Sequence, residues 1–153
     1  MIRLSREADY SLLAMTYIAS RPEGELAYRR DIAAHYSIPR EFLAKVLQKL
    51  SRAGLIVSSR GTQGGYRLAR EASLITLADM VQAVDGPMAL VVCQKEPCMC
   101  PQEPACTVQS TLNEVQREIR KVFEGVSLQE MRGRCDAQGG HRPDLLTVGG
   151  VAR

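Results

Sequence analysis

"DIAAHYSIPREFLAKVLQKLSRAGLIVSSRGTQGGYRLAR", residues 31–70, decides the fold. "DIAAHY" continues a short helical pattern that begins near Arg29. "SIP" makes a tight turn, and Pro39 suits the opening of the next helix, where its missing N–H would have no partner anyway. Behind it Phe42, Leu43, Val46, Leu47 and Leu50 recur at three- and four-residue spacing, which is one face of a helix. Gly54 stops that helix. The period then changes. "LIVSSRGTQGGYRLAR" is two short strand-like runs around a glycine-rich turn, a hairpin. Helix, turn, helix and hairpin give the outline of a winged helix-turn-helix, with a recognition helix over 39–53 and a wing over 56–70. A helix that enters a major groove needs a polar, exposed side. Arg40, Glu41, Lys45, Gln48 and Lys49 lie away from the aliphatic stripe.

Charge follows the same stretch. From Tyr28 to Arg70 there are nine Lys and Arg against two acids, Asp31 and Glu41, although the whole chain carries only +3. On its own that excess would be a solvated basic surface. Joined to the helix-turn-helix pattern it is the footprint of a polyanion, and double-stranded DNA is the expected partner.

Upstream, Ser5 is placed to cap a first helix, with Glu7 and Asp9 near its positive end. Leu12, Leu13, Met15, Ile18 and Ala19 carry it to about Arg21, and "RPEGE" breaks it. Downstream, "TLADMVQAVDGP" is a short helix ending at Gly86. After Cys106 a long helix follows, with Val108, Leu112, Val115, Ile119 and Val122 spaced 4, 3, 4, 3. That narrow seam is of coiled-coil type and needs a partner. The same helix of a second subunit is the economical choice, because helix-turn-helix proteins commonly read paired half-sites as dimers. The alternative is that the seam packs on the chain's own first helix. The expected organisation is a DNA-binding domain over 1–86, a cysteine-rich loop over 87–107 and a dimerisation helix with a short following segment over 108–131. The glycine-rich, aperiodic tail over 132–153 is expected to be without structure.

With 153 residues, 45% of them hydrophobic, no Trp and two Phe, the chain can bury a core of mainly aliphatic side chains. The expected class is mainly α with a small β-hairpin. No apolar run approaches the roughly 18 residues of a membrane span. Glu7 and Asp9 interrupt the N-terminus before an apolar signal core develops, so a cytoplasmic protein is expected. In that compartment clustered thiols bind metal or react more often than they form structural disulfides. "CQKEPCMCPQEPAC", residues 93–106, holds four of the five cysteines in a polar stretch. No Ser–His–Asp or paired-carboxylate arrangement stands out, so the chain is not expected to be an enzyme.

"MIRLSREADYSLLAM", the quoted core stretch, "GGYRLAR", "AVDG" and the cysteine loop before a long helix together resemble the Rrf2 family of bacterial winged-helix regulators, over about Met1 to Met131. The resemblance implies a homodimer, operator binding through the winged helix, and an iron–sulfur cluster that gates it. A repressor is expected rather than an activator, and a 4Fe–4S cluster in preference to 2Fe–2S. It implies DNA contacts at Arg29, Pro39, Arg40, Glu41, Lys45, Lys49, Arg60 and Thr62, with Arg60 entering the minor groove. A Glu used for base reading by some members is matched here by Ala44, so their operator preference does not carry over.

The family pattern also places three cluster thiolates. Cys100 and Cys106, with five residues between them, match its last two, and Cys93 is the first, one residue further upstream than is commonest. Cys98 is extra, and serves as an alternative ligand or a spare thiol. Where some members have a His three residues after the last cysteine, this chain has Gln109. Asp9 matches a first-helix Asp that in other members ligates the cluster of the partner subunit, so the resemblance makes it the candidate fourth ligand. As a bare residue it is equally a carboxylate at a helix N-terminus. Zinc is the rival for the same thiols, although no C-x₂-C pair is present. A thiol switch using Cys98 or Cys135 needs no metal. A cluster-carrying electron-transfer or assembly protein is the alternative of another class, and the basic winged helix argues against it.

Overall fold

Ser5 begins the structure as its sequence position suggests. Its Oγ accepts a hydrogen bond from the Ala8 N–H at 3.0 Å and caps α1, Arg6–Ala19. The computed structural model describes residues 3–22, 24–59, 64–91, 94, 100–101 and 105–137. After α1 come β1 (Ala27–Tyr28), α2 (Arg29–His35), α3 (Arg40–Arg52), β2 (Ile56–Ser58) and β3 (Gly65–Leu68). A 3₁₀ turn at Ala72–Leu74 leads to α4 (Leu77–Asp85), then α5 (Gln109–Glu124) and α6 (Leu128–Ala137).

Each boundary has a local cause. Pro39 is the N-cap residue of α3. At the other end Gly54 adopts φ 70°, and the Leu55 N–H reaches back to the Leu50 carbonyl at 3.0 Å, a left-handed stop that a side chain would strain. α4 opens on a reciprocal pair, with Thr76 Oγ1 accepting from the Asp79 N–H while the Asp79 carboxylate accepts from the Thr76 N–H. Gly86, at φ 80°, turns the chain out of α4.

The sheet is antiparallel, in the order β1-β3-β2, with Ala27 opposite Tyr66 and Val57 opposite Arg67. Gly65 is needed where β3 passes β1, since a Cβ there would stand 2.7 Å from that of Leu26. The core is aliphatic, as composition requires. Met15, Ile32, Leu43, Leu47, Leu50, Ile56, Ile75, Met80 and Leu128 are all fully buried in it. Tyr10 and Phe42 meet edge to face at 5.3 Å and extend it between α1 and α3.

The architecture is the expected one, helical with a small β wing. Several details differ. α1 stops at Ala19, two residues early, and α5 begins at Gln109 rather than Cys106. β1 had no counterpart in the sequence pattern. α6 runs to Ala137, through the first residues of the stretch 132–153 expected to be without structure. Its cause is tertiary. The Leu77 N–H bonds the Val126 carbonyl and the Leu128 N–H bonds the Ile75 carbonyl, both at 2.8 Å, so the chain after α5 pairs with the segment before α4. Leu128 then enters the core, and the Arg132 guanidinium donates to the Ala19 carbonyl at the end of α1 at 2.9 Å. Among the described residues, no helix is long and apolar enough to cross a membrane.

Candidate nucleic-acid interface and thiol loop

α2 and α3 are joined by the four residues 36–39. Ile38 is buried, its N–H bonded to the Ala33 carbonyl at 3.0 Å, and Ser37 takes φ 52°. This pins the start of α3 against α2. Leu43, Val46, Leu47 and Leu50 of α3 face the core, so the opposite side must face solvent. Arg40, Glu41, Lys45, Gln48 and Arg52 are exposed there, as are Pro39 at the helix start and Arg29 at the head of α2. Ala44 is half-buried. The exposed side of α3 therefore presents Arg40, Lys45 and Arg52 against the single carboxylate of Glu41. Arg60 and Thr62 lie outside the described residues, but the two wing strands that lead to them are in place.

Lys49 stands apart from the other candidates. Its side chain leans off the exposed face toward α1 and α4. The ammonium pairs with the Glu7 carboxylate and donates to the Val84 carbonyl at 2.9 Å. Beside it, the Ser5 hydroxyl donates to the Asp85 carboxylate. The starts of α1 and α3's polar edge thus meet at the last residues of α4. Sequence alone gave no signal of this, because the partners are 42 and 35 residues apart.

The thiol loop leaves from the same place. Cys100 and Cys106 are free thiols of intermediate exposure, a state open to a soft metal. Cys93 and Cys98 lie outside the described residues, and Cys135 falls within α6. The loop is fastened to α5 by amides. Gln94 accepts from the Leu90 and Val91 N–H groups at 2.9 and 3.3 Å and donates to Asn113 at 3.0 Å. Gln116 donates to the Met88 carbonyl at 2.8 Å. Asp9 is exposed one turn into α1. Among the described residues, no three Cys, His, Asp or Glu side chains gather as a metal site. The single chain therefore does not bring Asp9 to Cys100 and Cys106. The donor chemistry, soft thiolates on a loop, fits an iron–sulfur cluster in kind.

α5 is an amphipathic helix with no buried residue. It rests on α4, with Phe123 packed against the core. Val108, Val115 and Val122, seven residues apart, are 56, 44 and 65% exposed.

A helix-turn-helix with an exposed cationic recognition face and a two-stranded wing in a three-stranded sheet defines a DNA-binding transcriptional regulator. The sequence model of the Rrf2 family, described as iron-dependent transcriptional regulators, matches residues 4–133, and the chain belongs to that family. It is a regulator and not an enzyme, and DNA is its partner. Solved structures share the fold. CymR (YrzC), the global cysteine regulator of B. subtilis, is 23% identical, with 88% of this chain and 98% of that one covered at a TM-score of 0.70. IscR of T. potens is also 23% identical, with 92% and 93% covered at a TM-score of 0.71. CymR of Staphylococcus aureus is 25% identical, with 84% and 96% covered at a TM-score of 0.65.

Proposed function

We propose that this chain is an iron–sulfur-responsive repressor that binds a double-stranded operator as a homodimer. The observation that carries the reading is the position of the free thiols. Along the chain Cys100 and Cys106 lie between the winged helix and a helix whose apolar seam is exposed, so a ligand held there would sit on the connection between the DNA-reading unit and the proposed dimer contact. The family's description as iron-dependent agrees with it. Cys93, Cys100 and Cys106 would hold the cluster, with Asp9 of the partner subunit as fourth ligand and Cys98 as the alternative. The bound cluster would supply a redox-sensitive set of iron–thiolate bonds in the loop. The chain's own residues do the rest. Gln94 and Gln116 hold the two ends of the loop's first segment to α5, and Arg40, Glu41, Lys45 and Arg60 would contact the operator.

Purification without oxygen tests this. A brown protein with iron and sulfide is expected. Cys93→Ser, Cys100→Ser and Cys106→Ser should each lose the colour, while Cys98→Ser and Cys135→Ser keep most of it. Asp9→Ala should fold but hold a labile cluster. A colourless protein with stoichiometric zinc would overturn the reading. Arg60→Ala is expected to weaken operator binding by about 1–3 kcal/mol.

A further inference from the structure

Lys49 lies on the recognition helix, yet its charge is directed inward. Its ammonium is held by Glu7, in the first turn of α1, and by the carbonyl of Val84, one residue before the end of α4. The Ser5–Asp85 bond ties the same two helix ends to each other. Gly86 follows at once and sends the chain toward the thiol loop. Three elements therefore meet at one ammonium: the helix that reads DNA, the helix that carries Asp9, and the root of the loop. The side chains are 39% exposed at Lys49 and 30% at Glu7, and a pair so exposed contributes little to stability. Its geometric effect is larger, because Lys49 is one turn beyond Lys45, and a shift of the α4 end acts directly on the recognition helix.

We propose that the Glu7–Lys49–Val84 junction sets the position of the recognition helix relative to the root of the thiol loop, and that Lys49 is a positioning residue and not a DNA contact. The inference rests on the reading of α3 as the operator-binding helix. It asks nothing of the cluster, so it applies equally to metal-free protein.

The two roles of Lys49 give opposite signs. A lysine that contacts phosphate releases about one counterion, and its loss lowers the salt slope of binding by about 1. A positioning lysine leaves that slope unchanged. Removing the negative charge of Glu7 should by itself strengthen association with a polyanion. If Glu7 holds Lys49 in place, its removal weakens specific binding instead.

The test uses the full chain and a duplex that the wild-type protein selects from a random-sequence pool. Affinity is measured across salt for Lys49→Met, Glu7→Gln and the double variant, with melting temperatures alongside. Lys49→Met and Glu7→Gln should each weaken specific binding by about fivefold or more, with the slope unchanged. The double variant should be no weaker than either single one, since both break the same junction. Melting temperatures should stay within a few degrees. A slope that falls by about 1 for Lys49→Met, tighter binding by Glu7→Gln, or additive effects would overturn the proposal and return Lys49 to the DNA face. A wild-type chain that enriches no sequence from the pool would instead remove the operator reading, and this inference with it. A colourless protein that still enriches a sequence would remove the cluster alone.

Discussion

Ser37 is the one non-glycine residue among those described with a positive φ, 52°, and it stands in the turn that sets α3 against α2. A side chain in that region brings its Cβ close to the following carbonyl, at a cost of about 1–2 kcal/mol. Glycine would relieve this but adds freedom to the unfolded chain, which offsets part of the gain. Ser37→Gly should therefore leave stability unchanged or raise it by up to about 1 kcal/mol. A β-branched residue fits that region worst, so Ser37→Val should destabilise by about 1–2 kcal/mol. Urea unfolding of the two variants checks the order, and a Val variant as stable as Gly would show the turn to be unstrained. On the exposed face, Lys45→Ala should lower the salt slope of DNA binding by about 1, the behaviour that Lys49→Met should lack. The difference between these two lysines was not legible in the sequence. Both lie off the aliphatic stripe, and only the fold shows that Lys49 meets Glu7 and Val84. Ser37 was equally silent, since serine carries no left-handed signature, whereas Ser5, Pro39 and Gly54 were readable because their caps are local.

At the scale of elements, legibility followed length and period. α2 and α3 were readable because their apolar residues recur every three or four positions and Pro39 marks the boundary. β1 is two residues long, too short for alternation to register, and exists because β3 offers it an edge. α6 has Leu128 and Met131 on one turn, then Gly133. A helix that weak by propensity is fixed by its backbone bonds to the Ile75–Leu77 segment and by Arg132 on α1. The seam of α5 was legible, but not what covers it. Val108, Val115 and Val122 remain exposed in the single chain, and a stripe at heptad spacing is what a second copy would bury. Val115→Glu would place a charge at the middle of such a contact, with no partner to compensate it. If α5 forms the proposed homodimer contact, sedimentation should then show a folded monomer at concentrations where the unsubstituted chain forms dimers. A variant that still sediments as a dimer would move the interface away from α5.

At the scale of the whole molecule, α5 is an excursion from one folded unit and not a second domain. The chain leaves the winged helix at Gly86 and returns to it at Val126, where the bonds to Ile75 and Leu77 and the burial of Leu128 close the unit. The C-terminal end of the seam helix is thereby tied to the DNA-reading core, and Gln116 in its middle holds Met88, two residues beyond Gly86. The operator reading needs this, because half-sites one turn apart require recognition helices about 34–36 Å apart, and only a stiff connection can hold that spacing. The five tyrosines, Tyr10, Tyr17, Tyr28, Tyr36 and Tyr66, all lie before α4, and there is no tryptophan. Tyrosine emission therefore reports the winged helix alone, while helical circular dichroism also reports α5 and α6. Leu128→Ala removes a fully buried side chain and should destabilise by about 2–5 kcal/mol. If α6 belongs to the same cooperative unit, the tyrosine and dichroism transitions should coincide and shift together to lower denaturant. If α6 is an appended helix, Leu128→Ala should melt it alone, with the tyrosine transition unmoved. That outcome would detach the returning segment from the core, and α5 would then be held to the DNA-reading unit through α4 and the preceding loop alone.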